Sequence, residues 1–255
     1  MLIHKSGNEI QTVDEWLKYA PPKKGELQWK DKHSAKELAR SWCRKGFACP
    51  PEEMRLLLER TFRTEIVFDE AKPECVIKLD DFDGEHRNCD LVVLCNIGAR
   101  RMVINVEAKA SEPFGDLIGK YYDQTAAPRR DGSPSRSNVP ARIRQLSNAL
   151  LGRVPDKAIR RLRYQLLHAT AATLIEAREN GAELALFLVH EFRSAKPHKM
   201  TQNAIDWEDF VHTFPELTTV RAEENQILGP VLVPGGVHVT NSIPLYLGHL
   251  ITELT

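Results

Sequence analysis

The chain has 255 residues, enough for one large domain, because single hydrophobic cores stop growing at roughly 250–300 residues. Its hydrophobic fraction of 42% and charged fraction of 27% are those of an ordinary soluble globular protein. The formal net charge of zero excludes a general polycation, so any contact with nucleic acid has to come from a local basic patch.

The cysteines and the apolar runs argue against four further classes of protein. The chain has five cysteines and no CxxC pair. This pattern argues against a disulfide framework or a zinc ribbon and favours reduced thiols. The first residues lack the apolar region of a signal peptide. The longest apolar run, Leu184–Val189, is too short to span a bilayer. We therefore expect a cytoplasmic protein without a membrane partner.

The first part of the chain predicts three helices. Val13–Tyr19 predicts a short helix, which the prolines after it would stop. A clear helix is predicted over Ser34–Lys45, with Ser34 and Glu37 as a capping box and an apolar stripe at helical spacing. A third helix is predicted to start at Pro51, because proline suits the first helical position.

Strands follow, separated by an acidic loop at Asp80–Glu85. The strands predicted at Asp90–Cys95 and Met102–Glu107 are almost continuously apolar, which favours burial on both faces. Between them, Gly98–Ala99 predicts a two-residue hairpin turn, since glycine can adopt the positive φ that such turns need. The predicted strands are Ile66–Phe68, Cys75–Leu79, Asp90–Cys95 and Met102–Glu107.

The second part of the chain mixes helices, strands and one irregular stretch. Residues Pro128–Pro155 are rich in Pro, Ser, Gly and Arg, which predicts a mobile or irregular insertion. A long helix over Asp156–Asn180 precedes the buried strand Leu184–Val189, and a helix of crossover length predicts a strand parallel to its neighbour. The other predicted elements are helices over Asp116–Gln124 and Asp206–Phe214 and two strands within Val237–Ile251.

This order of elements predicts an α/β or α+β fold in which helices flank a mixed β-sheet. We expect a single domain over residues 1–255. Its core would span about 34–192, with a basic insertion at about 128–155 and a C-terminal α/β extension at about 200–255.

Two acids and a lysine stand on the predicted hairpin. Successive strand residues alternate between faces, so Glu107 and Lys109 point the same way and Ala108 points opposite. If the turn is Gly98–Ala99, residue i pairs with residue 197 − i, so Asp90 lies opposite Glu107. The Cβ atoms of such partners are roughly 4.5–5.5 Å apart. Two carboxylates so placed repel each other unless a cation lies between them, and an oxygen-only pair suits Mg²⁺.

Lys109 completes a set of groups that suits phosphodiester hydrolysis. A lysine one strand repeat from a metal-bound carboxylate can help to deprotonate a metal-bound water. It can also stabilise the negative charge that develops on a phosphate under attack. An alternative is an incidental ion pair on a solvated strand, against which the apolar Val103, Ile104 and Val106 argue.

At these residues the sequence resembles the PD-(D/E)XK superfamily, which has the restriction-endonuclease-like fold. The family pattern is an acid on one core strand and acid-x-lysine on the next, here Asp90 and Glu107-Ala108-Lys109. The phrase Val106–Gly115 is similar to an uncharacterised bacterial branch of the superfamily. The resemblance implies a Mg²⁺ ion, replaceable by Mn²⁺, at Asp90, Glu107 and Ala108. It implies that Lys109 assists the attacking water.

The resemblance covers the element order from Ser34 to Phe192 and is specific at three residues. The helices at Ser34–Lys45 and Asp156–Asn180 and the strand at Leu184–Val189 fill the places of the family's flanking elements. Cys89 stands where the proline of the family motif would be, a departure that many members share.

Other polar residues have two interpretations each. Glu37 fits a capping box better than a place in the site, and the acids of Asp80–Glu85 fit a solvated turn better than a metal site. Gln165, on the predicted long helix, is an accessory candidate because glutamines on this helix assist in some superfamily members. The alternative for Gln165 is a surface or core-edge amide.

The stretch Arg129–Arg163 is strongly basic, with a local charge of +8 in a chain of zero net charge. Two interpretations stay open, a soluble disordered loop and a flap that contacts phosphates beside the active site. On the second interpretation, the contacting residues are Arg129, Arg130, Arg142, Arg144, Arg160 and Arg161.

The sequence therefore predicts divalent-metal-dependent hydrolysis of nucleic acid, which we expect to be DNA rather than RNA. One alternative is a catalytically silent nucleic-acid-binding or scaffold protein of the same fold. Another is an enzyme that uses the same metal site on a smaller phosphate ester. A homodimer would suit cleavage of both strands of a duplex.

Overall fold

The computed structural model describes residues 1–44, 46–110, 112–194 and 202–254. Lys45, the predicted end of the second helix, lies outside the described residues. The strands in these ranges are β1 (Leu2–Lys5), β2 (Asn8–Glu9), β3 (Cys43–Arg44), β4 (Phe47–Ala48), β5 (Ile66–Ile77), β6 (Arg87–Ile97), β7 (Arg100–Lys109), β8 (Leu184–Ser194), β9 (Gln226–Val231) and β10 (Leu245–Leu254). The α-helices are α1 (Val13–Tyr19), α2 (Ser34–Trp42), α3 (Glu52–Phe62), α4 (Ile118–Ala126), α5 (Val139–Leu151), α6 (Tyr164–Glu179) and α7 (Gln202–Val211).

Eight strands form one mixed sheet in the order β2-β1-β5-β6-β7-β8-β10-β9. The strands β5, β6 and β7 are antiparallel neighbours, whereas β7, β8 and β10 run parallel. Helices α4, α5 and α6 lie in the connection from β7 to β8 that a parallel pair requires. The predicted α/β class and the predicted parallel pairing of the strand at Leu184 are confirmed.

The sheet separates two hydrophobic cores because its central strands are apolar on both faces. Along β8, all residues from Leu184 to Arg193 are buried. Helices α4 to α7 cover one face, and α1 to α3 cover the other with Trp16, Trp42 and Met54. Each large apolar side chain so buried contributes about 1.5–3 kcal/mol. The two helix layers hold β6 and β7, the strands of the candidate site, in the middle of the molecule.

The predicted hairpin register is confirmed. Leu91 pairs with Val106 and Ile97 with Arg100, so residue i of β6 pairs with residue 197 − i of β7. The turn is Gly98–Ala99, and Gly98 has the positive φ of 59° that the turn needs. Regular pairing of the two strands ends at Leu91 and Val106, so Asp90 and Glu107 are the first residues beyond the paired part of the hairpin.

Two predicted elements between β7 and β8 were wrong. Residues 139–151 of the predicted irregular insertion form α5, because Ile143, Leu146 and Leu150 are buried at helical spacing. The long helix predicted from Asp156 begins only at Tyr164, after a single 3-10 turn at Ile159–Arg161.

The N-terminal cap of α2 also differs from the prediction. Its cap residue is His33, and no side chain makes a cap hydrogen bond there. Glu37 is buried and accepts hydrogen bonds from the Lys32 main-chain N–H at 2.7 Å and from Arg40 at 2.9 Å. Glu37 thus fixes the chain before α2 instead of forming a capping box with Ser34.

Strand boundaries account for the remaining differences. The two strands predicted from Ile66 and Cys75 are one strand, β5. Of the two strands predicted within Val237–Ile251, β10 forms, and in the described range 202–254 its antiparallel partner β9 lies earlier in the chain. Within the described ranges, no helix combines the length and apolar character needed to cross a membrane.

Candidate functional site

The Glu107 carboxylate is buried near the end of β7 and surrounded by donors. Its exposed fraction is 1%. Lys109 Nζ lies 2.5 Å from Oε1, the amide of Gln165 on α6 donates to the same oxygen, and Arg87 at the start of β6 binds Oε2. Burial raises the pKa of Glu107, but the positive charges of Lys109 and Arg87 outweigh it and leave the pKa below its usual value. Glu107 is therefore an ionised carboxylate at neutral pH.

Asp90 lies beside Glu107 on the neighbouring strand and is partly exposed. Its Oδ2 accepts a hydrogen bond from the main-chain N–H of Ala108 at 2.8 Å. No other donor among the described residues binds this carboxylate. Burial and the negative charge of Glu107 raise the pKa of Asp90 to about 7, although Lys109 and Arg87 act in the opposite direction. An added cation at this carboxylate would relieve the repulsion that raises its pKa.

The donor set fits a hard divalent cation. The carboxylates of Asp90 and Glu107 and the main-chain carbonyl of Ala108 supply oxygen only, and Mg²⁺ is typically held by one or two carboxylates and several waters. In the described ranges, no three His, Cys, Asp or Glu side chains form a metal-binding group. A cation here would therefore depend on these two carboxylates, the main chain and water, and it would displace Arg87 from Glu107.

Arg87 is a site residue that the sequence analysis did not identify. It is partly buried, binds Glu107, and has a raised pKa, because the charge of Glu107 outweighs the effect of burial. No motif marks it, since it lies between the predicted acidic loop Asp80–Glu85 and the strand predicted from Asp90. The arginine brings a fixed positive charge to the candidate site.

Glu74 is the second unexpected residue beside the cluster. In the β5–β6 register, Pro73 pairs with Leu91 and Cys75 with Cys89, so Glu74 stands opposite Asp90. Its backbone has the unusual φ of 50° for a residue with a side chain. Burial and the charge of Asp90 raise the pKa of Glu74 to about 8. A third acid thus extends the row of carboxylates across three neighbouring strands.

The cluster lies at the carboxyl ends of the parallel strands. Lys109 at the end of β7 pairs in register with Glu191 of β8. Glu191 binds Arg193 at 2.9 Å and His249 of β10 at 3.2 Å, so ionisable side chains continue across the sheet. In open α/β sheets, ligands bind outside this end of the strands.

Two clefts lie next to the cluster and share Tyr121, Tyr164 and His168 in their linings. The larger, about 650 Å³, includes Arg87 in its lining, and the smaller, about 290 Å³, includes Gln165. Asp90, Glu107 and Lys109 line neither cleft in the described structure. The clefts reach Glu107 through its two partners, Arg87 and Gln165.

Three of the six arginines predicted to bind nucleic acid are engaged within the protein. Arg142 is buried and binds both carboxylate oxygens of Asp80, with Nη2 to Oδ1 at 3.0 Å. The predictions that Arg142 is free to bind phosphate and that Asp80 is solvated are therefore wrong. Arg160 binds Asp123 at 2.6 Å, and Arg144 donates to a tyrosine hydroxyl at 2.8 Å.

Arg129, Arg130 and Arg161 are exposed. Their side chains make no ion pair or hydrogen bond within the described residues. These three are therefore the members of the predicted set that are free to contact phosphate. Gln165, the predicted accessory residue, is partly exposed and donates a hydrogen bond to Glu107, so it lies next to the cluster.

A family model described as a domain of unknown function (DUF6946) matches residues 9–254. No curated protein and no solved structure matches the chain. The family match covers almost the whole chain but carries no activity, so a function has to be argued from the site itself.

Proposed function

We propose that this chain, which belongs to the DUF6946 family, is a divalent-metal-dependent nuclease that hydrolyses phosphodiester bonds in DNA. The observation that carries the proposal is the contact of Lys109 with the Glu107 carboxylate beside the open carboxylate of Asp90. Two further points support the proposal: the sequence resemblance of Asp90, Glu107 and Lys109 to the PD-(D/E)XK pattern, and the register of the β6–β7 hairpin. The free arginines of the basic stretch provide phosphate contacts.

Each residue of the cluster has a distinct role in this proposal. Asp90, Glu107 and the carbonyl of Ala108 would hold Mg²⁺ or Mn²⁺. The bound ion supplies a Lewis acid and a water of lowered pKa. Lys109 holds a proton and a positive charge where negative charge develops on the phosphate. Gln165 orients Glu107, because its amide binds Oε1.

Arg87 gives the cluster a way to exchange partners. In the free protein it neutralises Glu107, and it also lines the larger cleft. A phosphate entering the cleft offers Arg87 a second anion, to which guanidinium binds well. Release of Glu107 by Arg87 would then free a carboxylate oxygen for the cation.

A second candidate function is a catalytically silent DNA-binding or scaffold protein. The specific observation in its favour is that both Glu107 oxygens already have donors, from Arg87, Lys109 and Gln165. A buried charge with such partners is satisfied without a metal ion. In that case the cluster holds α6 against the sheet and performs no chemistry.

Cleavage assays with plasmid, linear duplex and single-stranded DNA separate the two functions. The wild-type protein should cut at least one substrate with Mg²⁺ or Mn²⁺ and none with EDTA. Asp90→Asn, which keeps the shape of the side chain, should not cut. Absence of metal-dependent cleavage from all three substrates would favour the silent protein.

The compartment belongs to the same proposal. All five cysteines are free thiols, and three of them are buried. Free thiols persist where glutathione and thioredoxin keep cysteines reduced. We therefore place the activity in the cytoplasm.

A further inference from the structure

The larger cleft beside the cluster is too narrow for a DNA duplex. A sphere of its volume, about 650 Å³, is only about 11 Å across, whereas a duplex is thicker than its two groove depths together, about 8.5 Å and about 7.5 Å. Sites for small molecules typically have volumes of about 300–1,000 Å³. The cleft therefore has room for a single nucleotide but not for a base-paired segment.

Polar atoms without partners surround this cleft. Arg87 Nε, Asn88 Oδ1 and His168 Nδ1 are buried and have no hydrogen-bond partner within the described structure, and all three residues line the cleft. Buried polar atoms are rarely left unpaired, so three in one lining indicate a polar ligand or bound water. Donors and an acceptor are both present, as a nucleotide requires.

Arg136 supplies a positive charge to the lining of the cleft. Arg136 is exposed and makes no ion pair or hydrogen bond among the described residues. Lys23, also in the lining, is bound to Glu85 at 2.5 Å. Arg87, another lining residue, binds Glu107. A phosphate between Arg136 and Arg87 would lie next to the carboxylate cluster.

Aromatic rings form one wall of the cleft. Tyr121 and Tyr164 have ring centroids 5.1 Å apart, and His168 packs edge-on against Tyr164 at 4.6 Å. Arg142, itself fixed by Asp80, lines the same cleft as Tyr164. Rings held in this way form a platform on which a base can stack without regard to its sequence.

We infer that the cleft binds one unpaired nucleotide of a DNA strand, with its base on Tyr121 and Tyr164 and its phosphate between Arg136 and Arg87. The inference rests on the proposed nuclease function and names its substrate class. The enzyme acts on single strands or frayed ends, because a base-paired nucleotide cannot enter.

Binding of a short labelled oligothymidine and of a blunt duplex of equal length, measured in EDTA by fluorescence anisotropy, tests the inference. The wild-type protein should bind the single strand more tightly than the duplex. Tyr121→Ala and Arg136→Ala should each weaken single-strand binding about five- to hundredfold, the range for loss of one stacked base or one phosphate contact. Tyr121→Phe should bind as the wild type does, because it keeps the ring.

Arg221→Ala is the matched control, since Arg221 is an exposed arginine that lies outside both clefts. Thermal melting of each variant verifies that the fold is intact, and Arg136→Ala, at an exposed position, carries little risk of unfolding. The inference is overturned if the wild type fails to prefer the single strand, or if Tyr121→Ala and Arg136→Ala both bind as tightly as Arg221→Ala.

Failure of the inference and failure of the nuclease proposal give different results. Binding is measured without metal, so a protein that shows the expected pattern but never cleaves contradicts only the nuclease proposal. A wild type that cleaves, while the two cleft variants bind and cleave like the control, contradicts only the nucleotide site.

Discussion

The Lys109 ammonium nitrogen lies 2.5 Å from Oε1 of Glu107, on the same face of the same strand. The two side chains are 5% and 1% exposed. Buried ion pairs often stabilise a protein no better than well-packed apolar side chains would, because both charges lose their hydration. The pair is therefore poorly explained by stability alone, which is consistent with the proposed role of Glu107 and Lys109 in metal-dependent chemistry.

The first prediction is that the ionised Asp90 carboxylate lowers the free energy of unfolding in the absence of metal. Its pKa is about 7 in the folded protein, against an ordinary value of 3.8, so the folded state binds the proton more tightly. Raising the pH from about 4 to about 7 therefore lowers the free energy of unfolding. Asp90→Asn should be more stable than the wild type at pH 8 in EDTA, by roughly 1–3 kcal/mol.

Urea denaturation at pH 5 and pH 8 measures this difference. Asp69→Asn is the control, since Asp69 is an exposed aspartate of β5. The charge of Asp90 is also a cause of the raised Glu74 pKa of about 8, so Asp90→Asn should lower that pKa as well and add to the gain in stability at pH 8. Equal stability of Asp90→Asn and the wild type at pH 8 would show that the Asp90 carboxylate is not under strain.

The second prediction concerns Mn²⁺ affinity and pH. Because a ligating carboxylate must be deprotonated, affinity should rise as the pH passes through about 7, the pKa of Asp90. Calorimetry should give one Mn²⁺ per chain for the wild type and far weaker binding for Asp90→Asn. Identical affinities for the two proteins would remove Asp90 from the metal site.

The third prediction separates the buried arginine from the exposed ones. Arg142→Ala leaves Asp80 as an unpaired buried charge, so it should lower the free energy of unfolding by about 3–5 kcal/mol. Arg161→Ala, at an exposed position, should change it by less than about 0.5 kcal/mol. Equal effects in urea denaturation would mean that the Arg142–Asp80 pair does not contribute to stability.

The fourth prediction concerns the salt dependence of DNA binding. Replacing Arg129, Arg130 and Arg161 together by Ala should weaken binding of single-stranded DNA. The slope of log affinity against log salt should fall by about 0.7 for each lost phosphate contact. Arg160→Ala should have a smaller effect, because Arg160 is already bound to Asp123. An unchanged slope in the triple variant would make the basic stretch a solvated surface only.

The hairpin could be predicted because local chemistry fixes it. A two-residue turn at Gly98 determines the register of every following pair, and strand alternation then determines which side chains share a face. The relation between Asp90 and Glu107 follows from these two rules alone. The buried strand at Leu184 could also be predicted from local sequence, because a short, continuous apolar run is typical of a strand that is buried on both faces.

The neighbours of the hairpin could not be predicted, because they depend on contacts far apart in the chain. Arg142 meets Asp80 across 62 residues, and nothing near either residue signals the pair. Glu74 lies opposite Asp90 because of the β5–β6 register. The sequence does not determine that register, because the loop between the two strands is long and irregular. The helix at Ile143 was missed because the average composition of residues 128–155 hides its short apolar stripe.

The most direct test of the central claim is to measure cleavage and binding separately for Lys109 variants. Lys109 carries no ligand atom while protonated, so Lys109→Ala, and Lys109→Met with its similar volume, should keep the fold, the Mn²⁺ affinity and most of the DNA affinity. Both should lose about 10²–10³ in the Mg²⁺-dependent cleavage rate, as for loss of one charge-stabilising group. Lys120→Ala, which removes an exposed lysine of α4, should cut like the wild type. A Lys109 variant that folds and cuts as fast as the wild type would contradict the assignment of this cluster as a nuclease active site.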